Sequence, residues 1–289
     1  MYNKKNYTIH VDNLKYAISQ GYKLKKIHRV LRFKQKPFLK DYIELNMNLR
    51  SQATNDFEKN FYKLMCNSIF GRSIMNKRNF VDFQIVKKWS LAKKRIGRPN
   101  FNKSVIFHED CVGFLVKKTK IVLDHPVYIG FCVLDLAKLE MQQFHYDVIK
   151  KQEWQANLLY TDTDSLIYEI YCDDIYAWMK SNIELFDTSD YPLNNPYEMP
   201  RVNKKITLKM KDECHGSIIR EFIALRAKLY AFQTEDEHVQ KIAKGVQYNV
   251  LLCNITYKDY YDSLEHGTIK TCQQNTIQSK DHHLYTLTN

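Results

Sequence analysis

Apolar residues recur at three- and four-residue steps in some stretches of the chain and at alternate positions in others. VDNLKYAISQ (11–20) has helical spacing and stops at Gly21, whereas the following YKLKKIHRVLRF (22–33) is β-prone and strongly basic. From about Leu39 to Asn76 the helical pattern returns, with Phe57, Phe61, Leu64, Met65 and Ile69 in phase, and predicts two neighbouring helices. Residues 77–125 mix charge runs with the β-prone pieces NFVDFQIV and VGFLVKKTKIVL, which predicts strands and turns before Pro126. IGFCVLDLAKLEMQQFHYDVIKK (129–151) reads as one long helix with an apolar face through Val133, Leu136, Leu139 and Phe144. It leads into LLYTDTDSLIYEI, which has the form strand, tight acidic turn, strand. Then come an acidic, aromatic stretch (IYAWMKSNIELFDTSDYP), a basic one (NKKITLKMKDE), the strand-like EFIALRAKLYAFQ and a mixed tail.

With 289 residues, 44% of them hydrophobic, the chain can bury a sizeable core and hold two or three lobes. No apolar run approaches the roughly 18 to 20 residues of a membrane span, and MYNKKNYTIH lacks the core of a signal peptide. A nuclear or cytoplasmic location without a membrane partner is expected. The seven cysteines are scattered and form no CxxC pair, and the ten histidines include no HExxH, so neither disulfides nor a zinc site is indicated.

Charge changes the picture because it is uneven. Residues 1–125 carry 27 Lys and Arg against 9 Asp and Glu, while residues 126–289 carry 17 against 23. Basic clusters interleaved with aromatics, at 23–40 and 87–98, fit either a solvated surface or a nucleic-acid footprint.

Two constellations carry chemistry. In Tyr160-Thr161-Asp162-Thr163-Asp164-Ser165, carboxylates two residues apart sit on a turn between apolar strands. They can cap the backbone of an Asx-type turn, or hold a hard divalent cation such as Mg²⁺ through carboxylate oxygens. In the second, KLMCNSIFG (63–71), Lys59, Lys63 and Asn67 lie at four-residue steps on one helix face. Two ammonium groups there can clamp a triphosphate or simply face solvent beside Asp56 and Glu58, and Gly71 permits close approach.

YTDTDS resembles the YxDTDS signature of family B DNA polymerases, and KLMCNSIFG resembles the same family's KxxxNSxYG, in the right order. Lys228-Leu229-Tyr230 is similar to the KxY motif of the protein-primed branch. KMKDE (209–213), FDTSDYP (186–192) and NDFEKNFYKLM (55–65) give a texture most like the polymerases of Maverick/Polinton transposons and related viruses and linear plasmids. The resemblance implies an α+β right-hand polymerase: 1–76 the end of an N-terminal palm segment and the fingers helices, 77–125 an inserted subdomain linked to strand displacement, 126–235 the palm, and 236–289 a partial thumb. It implies DNA-directed DNA synthesis with two Mg²⁺ ions, primer–template DNA and deoxynucleoside triphosphates, primed by a terminal protein. Asp164 would bind metal directly, with Asp162 as its catalytic companion. Lys63 would hold the triphosphate, assisted by Lys59 and Arg50. Asn67 and Phe70 would line the nascent base-pair pocket, with Phe70 replacing the family's usual Tyr. Lys228 and Tyr230 would grip the primer end, and Tyr160, Thr163 and Gly71 would lie along the DNA.

One departure bears on activity. The family's upstream DxxSLYP motif has no counterpart before Asn55, Asp12 and Asp41 lie in unrelated contexts, and exonuclease motifs are absent. The sequence is therefore expected to be a C-terminal fragment, with an inactive DNA-binding remnant as the rival reading. If the chain polymerises as it stands, Asp12, Asp41 and Asp135 are the carboxylates to test.

Overall fold

The computed structural model describes residues 3–273 and the backbone of two further strands, Asn275–Lys280 and His283–Thr288. The chain forms two compact units, Met1–Leu136 and Ala137–Asn289. Helices are interspersed with mainly antiparallel sheets, a mixture compatible with an α+β fold. No helix among the described residues is long and apolar enough to cross a membrane.

The first unit opens with α1 (Val11–Ser19), begun by His10, whose Nδ1 accepts the Asp12 N–H at 3.3 Å. Asn13 is the buried residue of this helix, and its amide donates to the Asp135 carbonyl at 3.2 Å, while the His10 N–H donates to the Asp135 carboxylate at 2.6 Å. Asp135 is thus committed to fastening α1. Helices α2 (Lys40–Gln52) and α3 (Asp56–Ser73) follow as a pair. Asn55 caps α3 by accepting the Glu58 N–H at 2.8 Å, and Asp56 and Glu58 sit at the positive end of the helix dipole.

A small subdomain comes next, built from β1 (Val81–Val86), α4 (Trp89–Ile96), β2 (Phe101–His108) and β3 (Cys111–Lys117). The sheet is antiparallel in the order β1-β3-β2. Alternation puts Val112, Phe114 and Val116 on one face, where with Val86, Phe101 and Ala92 of α4 they form a core around the fully buried Phe114. Helix α5 (Val127–Gln143) then approaches the end of α3 at Gly130, where a Cβ would lie 1.9 Å from Ile74 Cγ2 and 2.4 Å from Ser73 Oγ.

In the second unit the helical path runs past α5 through a π turn (Phe144–Val148) and a 3-10 turn (Ile149–Lys151). A hairpin of β4 (Gln155–Asp162) and β5 (Ser165–Tyr171) follows, then α6 (Ile175–Ser181). The loops around β6 (Phe186–Asp187) and β7 (Met210–Lys211), a parallel pair, close on Tyr176, Met179, Phe186, Tyr191 and Met199. Strands β8 (Ile219–Arg226), β9 (Leu229–Thr234) and β10 (Val239–Ala243) make an antiparallel sheet in the order β10-β9-β8. It shares Ile223 and Ala231 with Tyr260 of the later helices α7 (Tyr248–Asn254) and α8 (Tyr257–His266). The backbone of β11 (Asn275–Lys280) and β12 (His283–Thr288) forms a last hairpin.

Several expectations need correction. Residues 22–33 form no strand, because this basic, exposed segment has no strand beside it to take its backbone hydrogen bonds. In the long helix Leu139 is buried as expected, yet Val133 and Leu136 are exposed. Residues 127–134 are apolar on every side, so the close approach at Gly130, and not the leucine period, marks the packed face. Phe57, Phe61 and Leu64 of α3 are likewise exposed. KKWSLAKKRIGR contains a helix, α4, and EFIALRAKLYAFQ is two strands that turn at Ala227-Lys228.

Candidate active site

The register of β4 and β5 pairs Asp162 with Ser165, so Thr163 and Asp164 alone make the turn. Thr163 adopts φ of 57°, a left-handed conformation that a β-branched residue rarely accepts. Such an outlier costs on the order of 1–3 kcal/mol and persists only where the surroundings hold it. Here the holding groups are local: the Asp164 N–H points back to the Asp162 carbonyl at 2.6 Å, and the Ser165 hydroxyl donates to the same carbonyl at 3.3 Å. Both carboxylates stand at the tip of a short rigid ribbon, with Asp164 exposed.

A second turn meets this one. The hairpin of β8 and β9 closes through Ala227 and Lys228, and Lys228 also takes a left-handed φ, 58°. Its backbone N–H donates to the Tyr160 hydroxyl at 2.8 Å, and its ammonium donates to Asp162 Oδ2 at 2.5 Å. The hydrogen bond from Lys228 holds the Asp162 carboxyl below the usual carboxylate range, and Asp162 in turn raises the Lys228 ammonium. Asp164 has no ion pair among the described residues, so the two carboxylates are not equivalent. Beneath them Tyr160, Phe222 and Tyr230 form an aromatic cluster, with the Tyr160 and Tyr230 ring centroids 4.8 Å apart and each 6.0 Å or less from Phe222. Burial first, and then Tyr160 and Asp162, push the Tyr230 hydroxyl pKa up.

The far side of the hairpin is anchored at the π turn. His145 Nδ1 lies 2.8 Å from the Tyr168 hydroxyl of β5, with the two rings stacked at 5.8 Å. Burial, and secondarily Lys150, lowers the His145 pKa, and burial pushes Tyr168 up to about 12. Neither this brace nor the direct link from Lys228 to Asp162 is evident from sequence spacing. Lys228 and Tyr230 were legible as a motif, but their apposition to Asp162 and Tyr160 spans 66 to 70 residues of chain.

In the first unit, Lys59, Lys63 and Asn67 are exposed on α3 at the expected spacing. Lys59 pairs with Asp56 at 3.2 Å, whereas the Lys63 ammonium has no acidic partner among the described residues. Phe70 is half-buried, Arg50 lies in the last turn of α2, and the space beside Gly71 is open. Gly71 borders a hollow lined mostly by apolar groups, with Ser68, Ile69 and Arg72 of α3 and Pro126 and Ile129 around it.

An exposed carboxylate, Asp164, beside the half-buried Asp162 on a fixed turn suits a hard cation that takes one or two carboxylate oxygens and fills its remaining positions with water and phosphate. No group of three or more His, Cys, Asp or Glu side chains gathers among the described residues. The turn by itself offers carboxylate oxygens to such a cation, with no third acidic, histidine or cysteine side chain gathered beside it among the described residues.

The chain belongs to the DNA polymerase type B family, organellar and viral, whose family model matches residues 3–151. DNA template and deoxynucleotides are the substrates of that class. The match takes in α1 to α5 and ends before the acidic hairpin. No curated protein matches the chain, and no solved structure matches it.

Proposed function

We propose that this chain is part of a template-directed DNA polymerase, with the β4–β5 hairpin and the adjoining sheet as its palm, α2 and α3 as its fingers, and residues from about 236 as the start of a thumb, and that without a DxxSLYP-like carboxylate it binds primed DNA but does not turn over. The observation that carries the reading is the apposition of the DTD turn with Lys228, Tyr160 and Tyr230, in a chain whose first half belongs to a DNA polymerase family. In the reaction the primer 3′-hydroxyl attacks the α-phosphate, a new P–O ester bond forms, and pyrophosphate leaves. Magnesium, when bound, supplies Lewis acidity at the reacting phosphate.

The chain's own residues act as follows. Asp164, which has no ion pair among the described residues, offers its carboxylate for metal binding, and Asp162 assists while anchoring Lys228. Lys228 and Tyr230 position the primer end, with Tyr160 and Thr163 shaping the surface against it. Lys63, assisted by Lys59 and Arg50, takes the triphosphate through charge-assisted bonds, while Asn67 and Phe70 border the nascent pair and Gly71 lies along the DNA. The centre is completed by a further carboxylate. Asp135 is a poor candidate because its oxygen already accepts the His10 N–H. Priming by a terminal protein, and an origin among transposon or viral polymerases, follow from the KLY and KMKDE motifs.

Binding and extension of a primed template test this together. In an enzyme supplied with the upstream acidic motif, Asp164→Asn should lower nucleotide incorporation by a hundredfold or more, an order-of-magnitude expectation for losing a metal ligand, with junction affinity retained. Lys228→Ala and Tyr230→Ala should weaken binding to a primer–template junction more than to blunt duplex. Equal losses on both DNAs would reduce the two residues to general backbone contacts, and incorporation by Asp164→Asn at the wild-type rate would refute its role.

A further inference from the structure

We infer that the open face of the β1-β3-β2 sheet is a stacking platform for single-stranded DNA, with Phe83 and Phe107 as the rings that receive bases. The register sends Val112, Phe114 and Val116 of β3 to the packed face, and therefore Gly113 and Leu115 to the other. Opposite Gly113 stand Ile85 of β1 and Val105 of β2, and the neighbouring outward positions are Phe83 and Phe107.

The two rings meet over the glycine. A Cβ on Gly113 would come within 2.6 Å of both Phe83 Cζ and Phe107 Cε2, so any other residue there would push the rings off the sheet. Their centroids are 6.1 Å apart with planes at 81°. Phe83 is 52% and Phe107 53% exposed, about what is expected when one side of a ring rests on the sheet and the other faces solvent.

What covers such a face is decided by its charge. Of the 12 Lys and Arg in residues 77–120, against 3 Asp and Glu, six lie at 87–98 on and beside α4, which packs on the other face, so the open face is judged by its own cations. Lys103 and Lys117 lie on the same outward side, by register, and have no acidic partner among the described residues. Asp82 is already engaged by Lys118 at 3.4 Å. Two rings with two unpaired lysines on the same face suit a single strand, whose bases stack on the rings while Lys103 and Lys117 meet its phosphates. A duplex offers no free base faces, so it would meet only the lysines. The argument rests on this subdomain alone and does not depend on the polymerase reading.

The test is equilibrium binding of the full chain to a labelled oligothymidine and to a blunt hairpin duplex, followed by fluorescence anisotropy. Phe83→Ala and Phe107→Ala should each weaken oligothymidine binding about tenfold, the scale of one lost base stack. Phe83→Leu and Phe107→Leu preserve apolar bulk without a ring face, and should lose about as much while their thermal unfolding stays close to wild type. Phe107→Tyr should bind within about twofold of wild type, since stacking tolerates any aromatic face. Duplex affinity should change little in all of them. Leucine variants that hold oligothymidine as tightly as wild type would overturn the proposal and mark the face as an aliphatic docking surface for protein. Equal losses on duplex and single strand would overturn it too.

Discussion

Replacing Asp212 by alanine probes the loop that joins the acidic hairpin to the lysine turn. Its carboxylate accepts three hydrogen bonds: from the Tyr191 hydroxyl at 2.7 Å, the Gly216 N–H at 2.8 Å and the Cys214 N–H at 2.9 Å. Tyr191 is 2% exposed, and burial, with Asp212 beside it, drives its hydroxyl pKa far up. Without the carboxylate, that O–H has no solvent to turn to, and an unsatisfied buried polar group costs roughly 1–3 kcal/mol. The lost bonds to a charged acceptor contribute about 1.5–3 kcal/mol each where water cannot replace them, which holds best for Tyr191. A net loss of about 3–5 kcal/mol is expected for Asp212→Ala, since the two backbone donors recover part of theirs from water. Tyr191→Phe removes the donor together with its need for a partner and should cost about 1 kcal/mol. The double variant should then be more stable than Asp212→Ala alone, a sign that simple addition of the two losses does not give. Urea unfolding followed through tryptophan fluorescence reads this locally, because Trp178 packs on Phe186 in the same core. A loss below about 1 kcal/mol in Asp212→Ala, or a double variant weaker than either single one, would refute the reasoning.

Two further outcomes follow from the site. The His145 pKa is held below 6.5 by burial. Between its folded and unfolded pKa the folded state binds fewer protons, so this contribution is present above the unfolded value and is lost as pH falls toward the folded one. Urea midpoints should drop on mild acidification, and His145→Gln should flatten that dependence; an unchanged slope would remove His145 as its source. In an enzyme supplied with the upstream acidic motif, Lys63→Ala should raise the KM for deoxynucleotide about tenfold, through loss of a charge-assisted phosphate contact. Because Lys63 is exposed and has no acidic partner among the described residues, stability should stay within about 0.5 kcal/mol. Weakened DNA binding with an unchanged KM would move Lys63 to the template.

Local chemistry made much of the chain legible. α1 ends where Gly21 permits a left-handed stop, Asn55 begins α3, and the DTD turn sits between two runs with strand alternation, all features encoded within a few residues. The spacing of Lys59, Lys63 and Asn67 likewise fixes that they share a face once α3 forms, because helix geometry leaves no choice. What failed was any expectation that depended on a partner far along the chain. Residues 22–33 had strand-like composition but no neighbouring strand, and Val133 and Leu136 had helical period but no surface to cover them. Only the tertiary structure decided that Lys228 reaches Asp162, that Tyr168 leans on His145, that Asp135 fastens α1, and that Phe83 and Phe107 close over Gly113. Periodicity states which side of an element is apolar; what that side meets is set by packing between distant segments, which no local pattern contains.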